Sequence, residues 1–200
     1  EWFYWEDIGI LLADALLKHP TLAAMNVKVP QQTQQATVIG AGAYSMSLSG
    51  SSIWLNVDSL PIRNIPVVEP PIDWGAADLP PVCQQIIEAV KRMDLRLRED
   101  NYAIALGRDM PMSYRVVHHT AKEIAEYYQQ HGNRQAPAIV VTENDLGKVL
   151  GMELQPLINP QKLLVIDEVR AVAGDYIDVG ESFFGGEVVP LTIKSLAFPA

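Results

Sequence analysis

The sequence predicts an α/β protein in which a helix and a β-meander are followed by alternating helices and strands with a largely parallel sheet. Two observations favour this class. Apolar residues first follow a helical spacing and then alternate with polar residues, as they do in strands with one buried face. Beyond residue 81, helical and strand patterns follow one another in turn, which is typical of parallel strands joined by helices. With 200 residues, of which 48% are hydrophobic, the chain is long enough to bury a core.

The first 69 residues are predicted to hold the helix and the meander. Residues 6–19 carry apolar side chains at helical spacing, and Pro20 cannot continue that helix. The chain then passes through the turn Gly40-Ala41-Gly42, after which Tyr44 and Met46 alternate with serines. Strands are predicted at residues 36–39, 44–48, 53–57 and 62–68. We expect these short strands to pair with their neighbours along the chain.

Residues 66–81 form the predicted boundary between two domains, 1–69 and 70–200. They contain five prolines, which interrupt helices and strands, and they show little periodic apolar character. Beyond this boundary, helices are predicted at residues 82–96, 113–130 and 145–157. Strands are predicted at residues 102–106, 138–142 and 163–166, with a closing β region at 176–198. The second domain should therefore hold the parallel sheet.

Charge and cysteine content exclude several classes of partner. The formal net charge is −9, and no run of Lys or Arg offsets it locally, so nucleic acid and membrane surfaces are unfavourable partners. Cys83 is the only cysteine, which rules out an intrachain disulfide and leaves no histidine–cysteine pattern for zinc. A soluble protein of the reducing cytoplasm fits these features. The chain opens on Glu1 without a signal-peptide pattern, and we expect it to be a piece of a longer protein.

The glycine turn is the candidate cofactor site. Gly40-Ala41-Gly42 begins like a dinucleotide fingerprint, but Ser45 stands where the third glycine belongs, and the following residues alternate like a strand. A Rossmann site is therefore excluded. Two alternatives remain: a plain hairpin turn, or a turn whose backbone N–H groups contact a phosphate. In the second case the cofactor-binding residues are Gly40, Ala41, Gly42 and Ser45.

A strand end with two acidic residues, Asp167 and Glu168, resembles part of a P-loop ATPase, but its partner loop is absent from the sequence. Gly147-Lys148 would need a glycine at Thr142 and a serine or threonine at Val149. We therefore expect Asp167 and Glu168 to be solvated residues at a strand end.

Two further polar groups have structural explanations. Residues 142–145 lie just beyond a predicted strand, where α/β proteins often bind small molecules, but Asn144 or Asp145 as a helix N-cap accounts for them. The adjacent His118 and His119 point about 100° apart on a helix, so we expect one on the surface and one partly buried. No catalytic residue or metal ligand is assigned.

Three stretches together resemble a known family. They read EDIGILLA at residues 6–13, ATVIGAGAYSMSLSGSSI at 36–53, and VIDEV at 165–169 leading to GDYIDVG at 174–180 and FGGEVVPLTIKSLAF at 184–198. They are similar to the C-terminal portion of the EutA family of ethanolamine utilization proteins, the reactivating factors of adenosylcobalamin-dependent ethanolamine ammonia-lyase. The likeness runs over nearly the whole chain.

The resemblance implies a fold and a task. Members have an actin-like ATPase fold and use ATP and Mg²⁺ to exchange damaged cobalamin in the lyase for intact cofactor, in a pathway often housed in bacterial microcompartments. The family's phosphate loops lie upstream of the matching region, so we expect this segment alone not to hydrolyse ATP. Alternatives are a protein-binding module without nucleotide and a small-molecule enzyme with a site at residues 142–145. The oligomeric state and the lyase contact surface stay open.

Overall fold

The computed structural model describes residues 8–25, 43–49, 53–57, 60–186 and 188–195, with the backbone alone for 43–49. The chain divides into two compact units, Glu1–Gly40 and Ala41–Ala200. In the first unit, helix α1 spans Gly9–Lys18 and helix α2 spans Pro20–Ala23. His19 between them is extended, and Pro20 opens the second helix, where its missing N–H costs nothing. The predicted first helix is thus confirmed with shorter bounds.

The second unit contains one sheet, formed by eight strands among the described residues. The strands are β1 Ala43–Ser49, β2 Trp54–Asn56, β3 Ile62–Val68, β4 Ala103–Leu106, β5 Ala138–Thr142, β6 Leu163–Ile166, β7 Asp175–Val179 and β8 Val189–Ser195. Their order across the sheet is β1-β8-β7-β3-β4-β5-β6-β2. The central strands β3 to β6 run parallel to one another. Strands β7, β8 and β1 on one side and β2 on the other are antiparallel to their neighbours.

Three helices connect the parallel strands. Helix α3 spans Val82–Arg92, α4 spans Tyr114–Gln130 and α5 spans Gly147–Ile158, and they link β3 to β4, β4 to β5 and β5 to β6. Helix α4 is capped by Ser113, whose side chain accepts from the Val116 N–H at 3.4 Å. The predicted alternation of helices and strands around a largely parallel sheet is confirmed. Helix α3 ends four residues earlier than the predicted 96, and α5 begins at 147 instead of 145.

The predicted β-meander is wrong for the described strands. Strands β1, β2 and β3 do not pair with one another: β1 pairs with β8, β2 with β6, and β3 with β4 and β7. Alternation along the chain predicts a strand but not its partner, because pairing depends on which hydrophobic face the strand meets. Strand β3, before the proline-rich segment, pairs with β4 after it, with Val67 opposite Ala103. The domain boundary at residues 69 and 70 stays a prediction.

Strands β4, β5 and β6 are buried on both faces, as continuous apolar strands require. One face packs against the three helices, with Ile86, Ile104 and Ile124 among the buried side chains. The other face packs against residues of the antiparallel arm, including Val179 and Leu191.

The sheet curls so that the connection between β7 and β8 reaches β2, the last strand in the order. A Cβ built on Gly186, between β7 and β8, would lie 3.4 Å from Cδ2 of Leu55 in β2, although β7 and β2 are far apart in the strand order. The connection between β7 and β8 thus lies against Leu55, which packs on the second face of the sheet. Within the described ranges, no helix combines the length and apolar character needed to cross a membrane.

Candidate functional site

The glycine turn predicted to contact a phosphate lies mostly outside the described residues. Gly40, Ala41 and Gly42 are not among the described residues. Ser45 lies in the middle of β1, opposite Ile193 of β8. Strand β1 is the first strand in the order across the sheet, so β8 is its one neighbouring strand. The assignment of these four residues to a cofactor stays a prediction.

The carboxyl ends of the parallel strands meet at one edge, where α/β proteins often place their ligands. There the polar side chain of Asn144 bonds to the backbone of a neighbouring loop. Its Nδ2 donates to the carbonyl oxygens of Arg108 and Met110, at 2.9 Å each. Its own N–H donates to Oγ1 of Thr142 at 3.3 Å. These bonds hold together the loops that follow β4 and β5.

Asp167 has a different role from the one predicted. It is fully buried, and its Oδ2 accepts a hydrogen bond from the Gly147 N–H at 2.9 Å. The N-cap residue of α5 is Leu146, which makes no side-chain cap bond, so the N-cap predicted at Asn144 or Asp145 is wrong. The carboxylate of Asp167 satisfies a free N–H at the positive end of α5 instead.

The prediction that both acidic residues are solvated is therefore wrong for Asp167. Glu168, in contrast, is exposed, as predicted, and adopts a φ of +56°. The two neighbours differ because Asp167, which directly follows β6, lies against the start of α5. Its partner there, Gly147, is 20 residues away along the chain. A pattern confined to neighbouring residues could not reveal that partner.

Three described cavities lie at the opposite edge, around Arg134, where the loops before β5 and β6 and the C-terminal ends of α4 and α5 meet. One has a volume of about 360 Å³. Arg134 donates to the Gln129 carbonyl at 2.7 Å, and Gln129 Nε2 donates to the Leu157 carbonyl at 3.0 Å. These bonds satisfy the last carbonyls of two helices, which is a structural role. The cavities give no support to a small-molecule site at residues 142–145.

Several tyrosine and cysteine side chains have pKa values raised by burial. Burial raises the pKa of Tyr127 and Tyr128 far above the usual value, and the hydroxyls of Tyr102 and Tyr127 bond to each other. Burial, followed by the charges of Glu126 and Glu123, raises the pKa of the Cys83 thiol to about 11. Because the thiolate is the nucleophile, Cys83 is a weak one at neutral pH.

The two adjacent histidines are both half-buried, which corrects the expectation that one lies on the surface. His118 Nδ1 forms a hydrogen bond with Oε2 of Glu153 at 2.7 Å, and His119 Nε2 bonds to the Pro80 carbonyl at 2.8 Å. Each ring thus joins α4 to a neighbouring segment. Among the described residues, no group of three or more His, Cys, Asp and Glu side chains could hold a metal ion.

Sequence reasoning missed one feature of the surface. Phe183 and Phe184, in the connection between β7 and β8, are largely exposed. The signal lay in the sequence Phe183-Phe184-Gly185-Gly186, two large apolar residues beside a glycine turn in an otherwise alternating β region.

A family model described as ethanolamine utilisation protein EutA matches residues 1–199. The chain belongs to the EutA family. The resemblance predicted from its three stretches is therefore confirmed. No solved structure matches the chain.

Two curated relatives, from Salmonella typhimurium and Escherichia coli, carry the name ethanolamine ammonia-lyase reactivase EutA. Each is 48% identical to the chain over 198 residues, which is 99% of the chain. The matched region is the C-terminal part of these relatives, and the chain spans 41% of their length.

Proposed function

We propose that the chain is the C-terminal segment of an ATP-dependent, chaperone-like reactivating factor for adenosylcobalamin-dependent ethanolamine ammonia-lyase. The observation that carries this proposal is the 48% identity, over 99% of the chain, to two proteins named as reactivases of that lyase. The full-length factor would release damaged cobalamin from the inactivated lyase so that intact cofactor can bind. It would work in the cytoplasm or in association with a bacterial microcompartment.

The proposal includes an actin-like ATPase fold for the full-length protein. The helix-connected parallel strands β3 to β6, with antiparallel strands at both sides, are compatible with an α/β fold of that kind. The chain would then supply part of the structure around the nucleotide, while the remaining length of the relatives supplies the phosphate loops.

Within this segment, the backbone N–H groups of Gly40, Ala41 and Gly42, with the Ser45 hydroxyl, are the proposed phosphate contact. ATP would supply the energy for the exchange, and Mg²⁺ would neutralise its phosphates. Among the described residues, no group of three or more His, Cys, Asp and Glu side chains lies together, and we assign none of them to that ion. Phosphoryl transfer depends on such groups, and the isolated chain should hydrolyse ATP no faster than buffer.

A reactivation assay tests the proposed function. Lyase loaded with cobalamin that lacks the adenosyl group is incubated with full-length protein, ATP, Mg²⁺ and free adenosylcobalamin, and ammonia release from ethanolamine is measured. We expect activity to return only when ATP and the full-length protein are both present. No return of activity would contradict the function. Mg²⁺-dependent ATP turnover by the isolated chain would contradict the proposal that the residues that hydrolyse ATP lie outside this segment.

A second candidate is a protein-binding module without nucleotide contact, which the exposed Phe183 and Phe184 favour. Titration of full-length protein with nucleotide distinguishes the two. Replacing Gly42 with Ala should lower nucleotide affinity more than it lowers thermal stability if the turn contacts a phosphate. Unchanged affinity in a folded variant would favour the module.

A further inference from the structure

The largest of the three described cavities is lined by more cations than anions. Its volume is about 770 Å³, and its charged lining residues are Arg96, Arg98, Arg134 and Glu99. Protein cavities that hold small molecules have volumes of about 300 to 1,000 Å³, so this one is large enough for such a ligand. An excess of cations is unexpected in a chain with a net charge of −9. We call this cavity the arginine cleft.

Two arginine side chains of the cleft are anchored at the end of helix α4. Arg98 Nε donates to the Gln130 carbonyl oxygen at 2.8 Å, and Arg134 Nη2 donates to the Gln129 carbonyl oxygen at 2.7 Å. Because the two acceptors belong to adjacent residues, they hold both guanidinium groups at the same helix end. A side chain that is already anchored loses less conformational entropy when a ligand binds.

Both of these guanidinium groups keep donors for a ligand. Within the part of the chain that the structure describes, neither Arg98 nor Arg134 forms an ion pair with a carboxylate. Arg96 instead pairs with the nearby carboxylates of Glu99 and Asp100, at 2.7 and 2.9 Å. A guanidinium carries several N–H donors in a planar fork, and each of the two anchored groups uses one side-chain nitrogen on a carbonyl. The other nitrogens and both positive charges are left to bind an anion.

The backbone of Arg98 is in a conformation that is unfavourable for a long side chain. Its φ of +67° lies in the left-handed region, which glycine and asparagine adopt more readily. The Arg98 N–H donates to the His131 carbonyl oxygen at 2.8 Å, and this bond holds the conformation. Strained residues are frequent at binding sites, where the side chain serves a purpose other than stability. This strain supports a ligand-binding role for Arg98.

Charge and geometry narrow the class of ligand. The fork of a guanidinium matches the oxygen atoms of a phosphate group, to which it gives two parallel hydrogen bonds. A phosphate dianion would balance the two positive charges that have no carboxylate partner. The cleft has more space than one phosphate ion fills, so it accommodates a phosphate ester of a small molecule as well as free phosphate.

We propose that the arginine cleft binds a phosphate group, free or carried by a small molecule, through the guanidinium groups of Arg98 and Arg134. The site is additional to the phosphate contact proposed at residues 40–42, and it does not depend on the reactivating function. Arg98 precedes β4 and Arg134 precedes β5, so a bound phosphate would join the segments that lead into two neighbouring strands.

The test measures binding of inorganic phosphate to the full-length protein by isothermal titration calorimetry in a chloride buffer. Arg98→Asn removes one guanidinium and suits the positive φ, and Arg134→Gln removes the other. Arg115→Gln is the matched control, because it removes the same charge from an exposed position in the first turn of α4. Phosphate bound at residues 40–42 would contribute equally in all of these proteins.

We expect Arg98→Asn and Arg134→Gln each to weaken phosphate binding at least about tenfold, and Arg115→Gln to stay within about twofold of wild type. Arg134→Lys keeps the charge but loses the fork, so it should also weaken binding, by less than Arg134→Gln does. Thermal midpoints are measured for every variant. A parallel titration with glycerol 3-phosphate distinguishes the two sources, since tighter binding of the ester than of free phosphate identifies a small-molecule ligand.

Three results would overturn the phosphate site, whatever the outcome of the reactivation assay. The first is that wild-type protein binds neither free phosphate nor the ester. The second is that Arg98→Asn and Arg134→Lys, the two variants chosen to preserve the fold, bind phosphate as tightly as wild type. The third is that Arg115→Gln loses as much affinity as the variants in the cleft, which would make the effect one of net charge.

Discussion

The Asp167 carboxylate lies 2.9 Å from the backbone nitrogen of Gly147, and this contact joins the end of β6 to the start of α5. Both residues are buried, so water cannot replace the bond. Helix α5 begins without a side-chain cap from its own N-cap residue, Leu146. The position of this helix against the sheet therefore depends on a carboxylate from the strand that follows it.

Replacing Asp167 with Ala should destabilise the protein by about 1 to 3 kcal/mol, because a buried N–H is left without an acceptor. Asp167→Asn keeps an acceptor oxygen and should cost less. Denaturant unfolding measures both, with Glu168→Gln as a control that removes a neighbouring charge from an exposed site. Equal stability of Asp167→Ala and Glu168→Gln would show that the buried bond contributes nothing.

The hydroxyls of Tyr102 and Tyr127 bond to each other in the core, where the two residues are 3% and 0% exposed. Tyr127→Phe should cost about 1 to 3 kcal/mol of unfolding free energy, because it leaves the Tyr102 hydroxyl buried without this partner. The double variant with Tyr102→Phe removes both hydroxyls and should recover most of that loss. A double-mutant cycle measured by denaturant unfolding gives the coupling. Additive losses would contradict a direct bond.

Gly151 in α5 lies directly against Trp54 in β2, and a Cβ at this position would overlap Cβ and Cγ of the tryptophan. Alanine normally favours a helix over glycine by about 1 kcal/mol. Here Gly151→Ala should instead destabilise by about 1 to 3 kcal/mol, because the overlapped atoms are near the backbone and cannot move aside. Gly107→Ala is the control, since its Cβ would meet nothing within 4 Å. Thermal unfolding that ranks the two variants in the reverse order would contradict this packing.

Cys83 should react slowly with iodoacetamide in the folded protein. Its pKa is raised from 9.0 to about 11, first by burial and then by Glu126 and Glu123. At pH 8 the thiolate is then about a hundredfold rarer than for an ordinary thiol, and the reaction rate follows the thiolate. Glu126→Gln should speed the reaction modestly, because it removes one negative charge. Mass spectrometry follows the modification, and a folded-state rate equal to that in denaturant would contradict the shift.

Local sequence patterns predicted the parallel half of the protein well. Strands β3, β5 and β6 have the predicted bounds, and helices α3 to α5 lie where apolar spacing placed them. Strands β5 and β6 are apolar runs bounded by polar residues, and the helices repeat apolar residues at helical spacing, so the local signals are clear. Membership of the EutA family was also visible in three stretches of sequence.

The tertiary structure alone decided which strands pair and which side chains are buried. The partner of β1 is β8, about 140 residues later, and the acceptor for the Gly147 N–H is Asp167 in another loop. The contact of the β7–β8 connection with Leu55 of β2 likewise joins segments that are distant along the chain. Periodicity reports how a segment alternates between two faces, whereas pairing and burial depend on distant segments that meet those faces after the chain has folded.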